Sequence, residues 1–227
     1  MLSIIIPALD EEASIGECLA RLQAARAAGT EIIVVDGGST DATREVASTL
    51  ATRVIESPRG RAVQMNAGAR ASRGDVLLFL HADTVLPEGA ASALSHGLEV
   101  RQQAWGRFDV RITGEHLLLP VVAFFMNARS RLTGIATGDQ AIFVRRTAFE
   151  QAGGFPEIAL MEDVAISKAL KRVSRPVCLR ERVATSGRRW EKRGTLRTIL
   201  LMWRLRLAFA LGADPASLAR RYDGRAA

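Results

Sequence analysis

Leu2-Ser3-Ile4-Ile5-Ile6 runs into Pro7-Ala8-Leu9-Asp10-Glu11-Glu12, and Glu31-Ile32-Ile33-Val34-Val35 runs into Asp36-Gly37-Gly38-Ser39-Thr40-Asp41. Each is a short β-branched stretch that stops at a cluster of acids and turn formers, the pattern of a buried strand followed by a polar loop. Between them Ile15, Cys18, Leu19 and Leu22 recur at i, i+3, i+4 and i+7, which predicts a helix ending near Gly29. Ser39, Thr40 or Asp41 is expected to cap a second helix. Residues 53–56 read as a third strand, 61–71 as a helix, and 76–80 as a fourth strand of almost unbroken apolar character. Strand and helix in alternation predict an α/β unit, a mostly parallel sheet flanked by helices.

Beyond a helix expected at 88–100 the rhythm changes. Residues 104–113 alternate like a strand at Phe108, Val110 and Ile112, and 117–127 read as a helix. Residues 128–138, rich in Arg, Ser, Thr and Gly, read as a mobile loop able to order over a bound ligand. A strand at 141–144 and a helix at 162–173 follow. Residues 196–211 set Ile199, Leu200, Met202, Trp203, Leu205, Leu207 and Phe209 beside Arg197, Arg204 and Arg206, a basic amphipathic helix. Asp214 and Pro215 open a last short helix.

Of the 227 residues 48% are apolar, which provides a sizeable core and excludes disordered and fibrous classes. The net charge of +7 is uneven: residues 164–227 hold 16 basic and 4 acidic side chains (+12), leaving 15 against 20 (−5) for residues 1–163. Cys18 and Cys178 lie in no CxxC and near no histidine, so free thiols in a reducing cytosol are expected. The opening residues lack a basic n-region. The longest uncharged stretch, 117–128, is 12 residues and contains Pro120, short of the roughly 20 that span a bilayer. A cytoplasmic protein, peripheral at most on the inner face of the membrane, is expected.

Ligands of open α/β sheets bind beyond the carboxyl ends of the strands, and the polar residues gather there. Strand ends carry Asp10-Glu11-Glu12, Asp36 to Asp41 and His81-Ala82-Asp83-Thr84, and the helix after strand three opens with Arg59-Gly60-Arg61 and continues through Gln64 and Asn66. Carboxylates accept from base N–H groups and ribose hydroxyls, and His81 with Asp83 offers a nitrogen and an oxygen to a divalent cation that would neutralise a diphosphate. A nucleoside diphosphate held through a metal fits. No GxGxxG follows a strand and no GxxxxGK[ST] occurs, which excludes dinucleotide and P-loop sites.

Ile6-Pro7-Ala8-Leu9-Asp10-Glu11-Glu12, Val35-Asp36-Gly37-Gly38-Ser39-Thr40-Asp41, Leu80-His81-Ala82-Asp83-Thr84 and Met161-Glu162-Asp163 resemble, in order and spacing, the motifs of the family 2 glycosyltransferases. Residues 60–66, Thr137-Gly138-Asp139-Gln140 and Arg188-Arg189-Trp190 are similar to a small bacterial single-domain subgroup. The resemblance covers about residues 1–210. It implies the A-type nucleotide-diphospho-sugar transferase fold, Rossmann-like, with a catalytic domain at 1–190 and a helical C-terminal extension at 191–227.

It implies an inverting, metal-dependent transfer of a sugar from a nucleoside-diphosphate sugar to an unidentified hydroxyl acceptor, with Mn or Mg as the cation. Pro7, Leu9 and Glu11 would line the base and ribose pocket, Asp36 would contact the base, and Arg61 and Asn66 would close over the nucleotide. Asp83 matches the last acid of the family's metal motif, with His81 standing where the family has Asp, so both are candidate ligands. Asp163 matches the catalytic base, beside Glu162. Arg189 with Trp190 would clamp the diphosphate, although Ser186 stands where processive members carry Gln. Asp139 and Gln140 would meet the acceptor. The helix at 196–211 would lie on a membrane and meet a lipid-linked acceptor, or cover its own sheet or the partner of a homodimer.

Two other readings stay open, a nucleotidyltransferase of the same fold and a sugar-nucleotide-binding protein without transfer. A nucleic-acid partner is not expected, since only Trp190, Trp203, Phe209 and Tyr222 interleave the basic stretch.

Overall fold

The structure is a computed structural model that describes residues 1–223, without the side chains of Arg189, Lys192, Arg193 and Asp223. The first half comprises β1 (Leu2–Ala8), α1 (Glu12–Arg21), α2 (Gln23–Ala27), β2 (Glu31–Asp36), α3 (Thr43–Leu50), β3 (Arg53–Glu56), α4 (Arg61–Ala71) and β4 (Val76–Phe79). The middle runs through β5 (Thr84–Val85), α5 (Ala90–Val100), β6 (Trp105–Thr113), α6 (Leu119–Thr133), a 3-10 turn (Gly138–Gln140), β7 (Ile142–Arg145) and α7 (Arg146–Gln151). The chain then forms α8 (Glu162–Val173), β8 (Val177–Ser186), α9 (Arg188–Arg193), α10 (Thr195–Ala210) and α11 (Pro215–Asp223).

One eight-stranded sheet, in the order β3-β2-β1-β4-β7-β6-β8-β5, holds the fold together. The first four strands in that order are parallel, and β7 runs antiparallel to both β4 and β6. Successive strand side chains point to opposite faces, and the core divides accordingly. Ile4, Ile6, Ile32, Val34 and Leu78 pack with Ile15 and Leu19 of α1. Ile5, Ile33, Val35, Leu77 and Phe79 pack with Ala62, Met65 and Ala69 of α4 and with Ile166 and Leu170 of α8. Helix α4 approaches closely because position 68 has no side chain: a Cβ there would lie 2.4 Å from Ile5 Cγ2 and 2.9 Å from Val35 Cγ2.

The structure departs from the sequence expectations in four places. Helix α3 starts at Thr43, and none of Ser39, Thr40 and Asp41 is its N-cap residue; Ser39 Oγ accepts from the Asp10 N–H instead, at 3.0 Å. Residues 128–133 are not a loop but the last turns of α6, which ends where Gly134 takes a left-handed φ of 67°. Tertiary bonds that composition does not show hold those turns: Arg131 pairs with Asp109 at 2.6 Å, and buried Ser130 accepts from Arg107 Nε at 3.0 Å. Strand β8 was not read at all, because Arg180-Glu181-Arg182 interrupts its apolar residues. Arg188 to Arg193 is helical, so the domain boundary drawn at 190 falls inside α9.

The C-terminal helices both cover the domain and leave an apolar face open. Leu205 and Leu218 close on Met161 in a separate small core. Asp214 caps α11 as expected, accepting the Ala216 and Ser217 N–H groups at 3.2 and 3.0 Å. Leu196, Leu200, Trp203, Leu207 and Leu211 stay exposed, Trp203 by 67%. No helix among the described residues is long and apolar enough to cross a membrane.

Candidate active site

The acidic turns after β1 and β2 are tied to each other. Thr40 N–H donates to Asp10 at 2.8 Å, Glu11 N–H to Thr43 Oγ1 at 2.7 Å, and Ala42 N–H to Glu12 at 3.1 Å. Gln64, buried on α4, donates to the carbonyls of Ala8 and Val35, both at 2.8 Å, and so pins the ends of both strands. A cavity of about 800 Å³ opens beside this scaffold. Pro7, Glu11, Arg61, His81 and Asp83 line one side; Asp139, Glu162 and Asp163 line it with them, and Arg188 and Trp190 reach it from α9.

The backbone aims Asp163. Met161, just before α8, holds a left-handed φ of 70°, a strained conformation for a residue with a side chain. Its side chain is buried against Leu205 and Leu218, which fixes the turn that presents Glu162 and Asp163. Asp163 accepts the Val164 N–H at 2.7 Å and the Gly138 N–H at 3.1 Å. Burial and the neighbouring Glu162 push its carboxyl up to about 6, against those two N–H groups and the charge of Arg61. Glu162 pairs with Arg61 at 3.4 Å. Burial works against the Arg61 charge, and the fields of Glu162, Asp139 and Asp163 outweigh it.

Several predicted residues stand elsewhere. Asp36 is fully buried and accepts from its own turn, from Gly38 and Ser39 N–H at 3.0 and 3.1 Å; it is not among the residues that line the cavity. Leu9 is half-buried and does not line it either. Asn66 does not close over the cavity, because its amide is spent on Phe155, donating to the carbonyl at 2.8 Å and accepting the N–H at 2.9 Å. Gln140 does not line the cavity: it is fully buried, boxed with Thr137 and donating to Asn127 at 3.3 Å. The side chain of Arg189 lies outside the described residues. Arg188 lies 3.5 Å from Glu11.

His81 lines the cavity beside Asp83. Its Nδ1 lies 3.3 Å from Asp139, and its buried Nε2, without a hydrogen-bond partner among the described residues, lies against Gly138, where a Cβ would come within 2.4 Å. Through Asp139 it ties the β4 end to the 3-10 turn. No cluster of three His, Cys, Asp or Glu able to hold a metal occurs among the described residues. The acid that remains, Asp83 on the cavity wall, suits a cation completed by diphosphate oxygens and water, the way Mg is commonly held. Cys18 donates to the Thr84 carbonyl at 3.4 Å. Burial first, then Asp83 and Glu17, push its thiol up to about 12, which makes it a packed, unreactive group.

Sequence reasoning missed three contributors. Met161 gives no sign of its backbone conformation, and Arg129 and Arg206 were read as part of a loop and of a basic helix face. Both arginines line the cavity.

Residues 3–152 match the model of glycosyl transferase family 2, and the chain belongs to that family. It is 30% identical over 168 residues to the undecaprenyl-phosphate 4-deoxy-4-formamido-L-arabinose transferase of Pseudomonas paraeruginosa, across 64% of this chain and 46% of the relative. It is 37% identical over 95 residues to a PGL/p-HBAD biosynthesis glycosyltransferase of Mycobacterium tuberculosis, across 39% of this chain and 37% of that one. The chain thus spans less than half the length of these relatives. Among solved structures it is similar to the mannosyltransferase PcManGT of Pyrobaculum calidifontis in complex with GDP-Man and Mn2+, with TM-score 0.63, 24% identity and coverage of 91% and 60%. Staphylococcus aureus TarS 1-349 in complex with UDP-GlcNAc gives TM-score 0.65, 16% identity and coverage of 82% and 58%. The fold is the A-type glycosyltransferase fold, a Rossmann-like α/β sheet.

Proposed function

We propose that this protein moves a sugar, with inversion, from a nucleoside-diphosphate sugar to an acceptor hydroxyl. The observation that carries the reading is one cavity that Asp163, a carboxyl held near the proton affinity a base needs at neutral pH, lines together with Pro7, Glu11 and Asp83 from the strand ends. Asp163 takes the proton of the acceptor hydroxyl as its oxygen bonds to the anomeric carbon. The bond from that carbon to the diphosphate breaks, and its electron pair leaves with the diphosphate. One carboxylate suffices because no covalent glycosyl-enzyme forms. Pro7 and Glu11 line the nucleotide end, and Arg188 and Trp190 bracket the diphosphate and sugar. Asp83 would hold a divalent cation, which when bound neutralises the departing diphosphate.

Thermal melting with UDP, GDP, CDP, ADP and dTDP, with and without Mn or Mg, tests the donor site. One diphosphate at 100 times its Kd should raise the melting temperature by roughly 5–10 °C in the presence of metal. If none does, the donor reading fails.

We further infer that α10 rests on an anionic membrane surface. Its exposed Leu196, Leu200, Trp203 and Leu207 stand beside the exposed Arg197 and Arg204, an apolar face edged with cations. The protein should sediment with phosphatidylglycerol vesicles at low salt and be released by Trp203→Glu with Leu200→Glu; equal sedimentation of parent and double variant would overturn this.

A further inference from the structure

Asp163 borders a second, much smaller cavity. Arg61, His81, Glu162 and Asp163 line it beside Gly138, and Met65, Phe79 and Phe155 contribute apolar wall. Its volume is about 10 Å³. That is the space of one water molecule, which needs roughly 10–15 Å³ and two to four polar partners.

The chamber holds a polar atom whose hydrogen bond is unmet. Nε2 of His81 is buried without a partner among the described residues. The Asp139 carboxylate, 3.3 Å from Nδ1, draws the ring proton to that nitrogen and leaves Nε2 a lone pair in need of a donor. A buried acceptor left unmet costs more than an ordinary hydrogen bond gains. Two donors on the wall are engaged elsewhere: the Gly138 N–H donates to Asp163 at 3.1 Å, and Arg61 Nη1 donates to Glu162 at 3.4 Å. Asp163 has room for a further donor. A carboxylate offers about four lone-pair sites, and the N–H groups of Gly138 and Val164 take two. Asp163 lines both cavities, so a lone pair is left for each.

We propose that one water molecule is built into this chamber, bridging His81 Nε2 and the Asp163 carboxylate, and that His81 is thereby a positioning residue for the base. One O–H of the water goes to the imidazole and the other to the carboxylate, and its own lone pairs face Arg61. The bridge holds the carboxylate from the chamber side and keeps its remaining lone pair for the large cavity. His81 stands where the resembling motif has Asp, so the bridge belongs to this chain's own departure from the pattern. It rests on the transferase reading only in taking Asp163 as the base.

Two measurements on the whole protein, neither needing a substrate, test it. Crystals grown without metal, and again with Mn, should show one water within about 3.2 Å of both His81 Nε2 and an Asp163 oxygen. Carboxyl ¹³C NMR of aspartate-labelled protein, with Asp163 assigned by the signal lost in Asp163→Asn, should titrate near 6 in the parent. In His81→Phe, which removes the acceptor that anchors the water, the midpoint should rise by about one unit, a tenfold gain in proton affinity for a carboxylate that has lost a donor. The other charges that face Asp163 stay in place: Glu162 on its own helix, Arg61 on α4 and Arg129 on α6, with Asp139 acting on Arg61 from the 3-10 turn. His81→Gln returns a polar atom to the chamber and should restore at least half of the shift. Density without a water, Mn on Nε2, an unmoved midpoint in folded His81→Phe, or equal shifts in the Phe and Gln variants would overturn the proposal. Should His81→Phe fail to fold, the crystals decide. If no nucleoside diphosphate stabilises the protein, the transferase reading fails and the water site stands; if a diphosphate binds and the chamber holds no water, the reverse is true.

Discussion

Asp163→Asn should keep nucleoside-diphosphate binding within about twofold of the parent and lose glycosyl transfer by on the order of 10²–10⁴-fold, the contribution of a positioned general base. The parent's rate should fall tenfold per pH unit below about 6, where the Asp163 carboxyl takes up its proton. The variant's residual rate should show no such limb. The same substitution has a stability signature. Asp163 titrates near 6 in the folded protein and near 3.9 in an unfolded chain. Its protonated form therefore favours folding, and that contribution is lost as pH rises from about 4 through 6, a cost on the order of 3 kcal/mol above that window. Asp163→Asn removes the charge, so it should melt at or above the parent at pH 7.5, with the advantage gone at pH 4. Equal transfer by variant and parent would refute the base assignment.

Asp83→Ala should lose metal-dependent binding. With the carboxylate gone, Mn should no longer enhance nucleoside-diphosphate affinity. Isothermal titration should show a drop of on the order of 100-fold in the presence of Mn, equivalent to about 2.7 kcal/mol, down to the parent's metal-free value. Mn alone should bind weakly to both proteins, because the diphosphate supplies part of its ligand set. An Asp83→Ala protein that kept the metal enhancement would place the cation elsewhere. His81→Ala should leave the enhancement in place, since both ring nitrogens face protein.

The strands of the first half were legible because Ile4 to Ile6, Ile32 to Val35 and Leu77 to Leu80 are buried on both faces, and burial of that kind leaves an uninterrupted apolar run. Strand β8 was not, because between Val177 and Val183 its residues are only partly buried or exposed and tolerate any side chain. Residues 128–133 misled for a related reason. Arg and Ser look like loop residues until Arg107 and Asp109 are seen to bond them from β6, a long-range contact that no local window contains. At the site, Asp83 and Asp163 were singled out by position in a motif, and both line the cavity. Asp36 and Asn66 carried the same kind of signal, yet their polar atoms bond to backbone away from the cavity. A motif names the residue that recurs but not whether its partner is a ligand or a main-chain amide.

The continuation of α6 to Thr133 changes how a substrate meets this protein. A loop at 128–133 would have had to settle around each arriving molecule and forfeit conformational freedom with every turnover. A helix has forfeited it already, during folding. Arg129 is then presented to the cavity from a fixed helix, already in place when a substrate arrives.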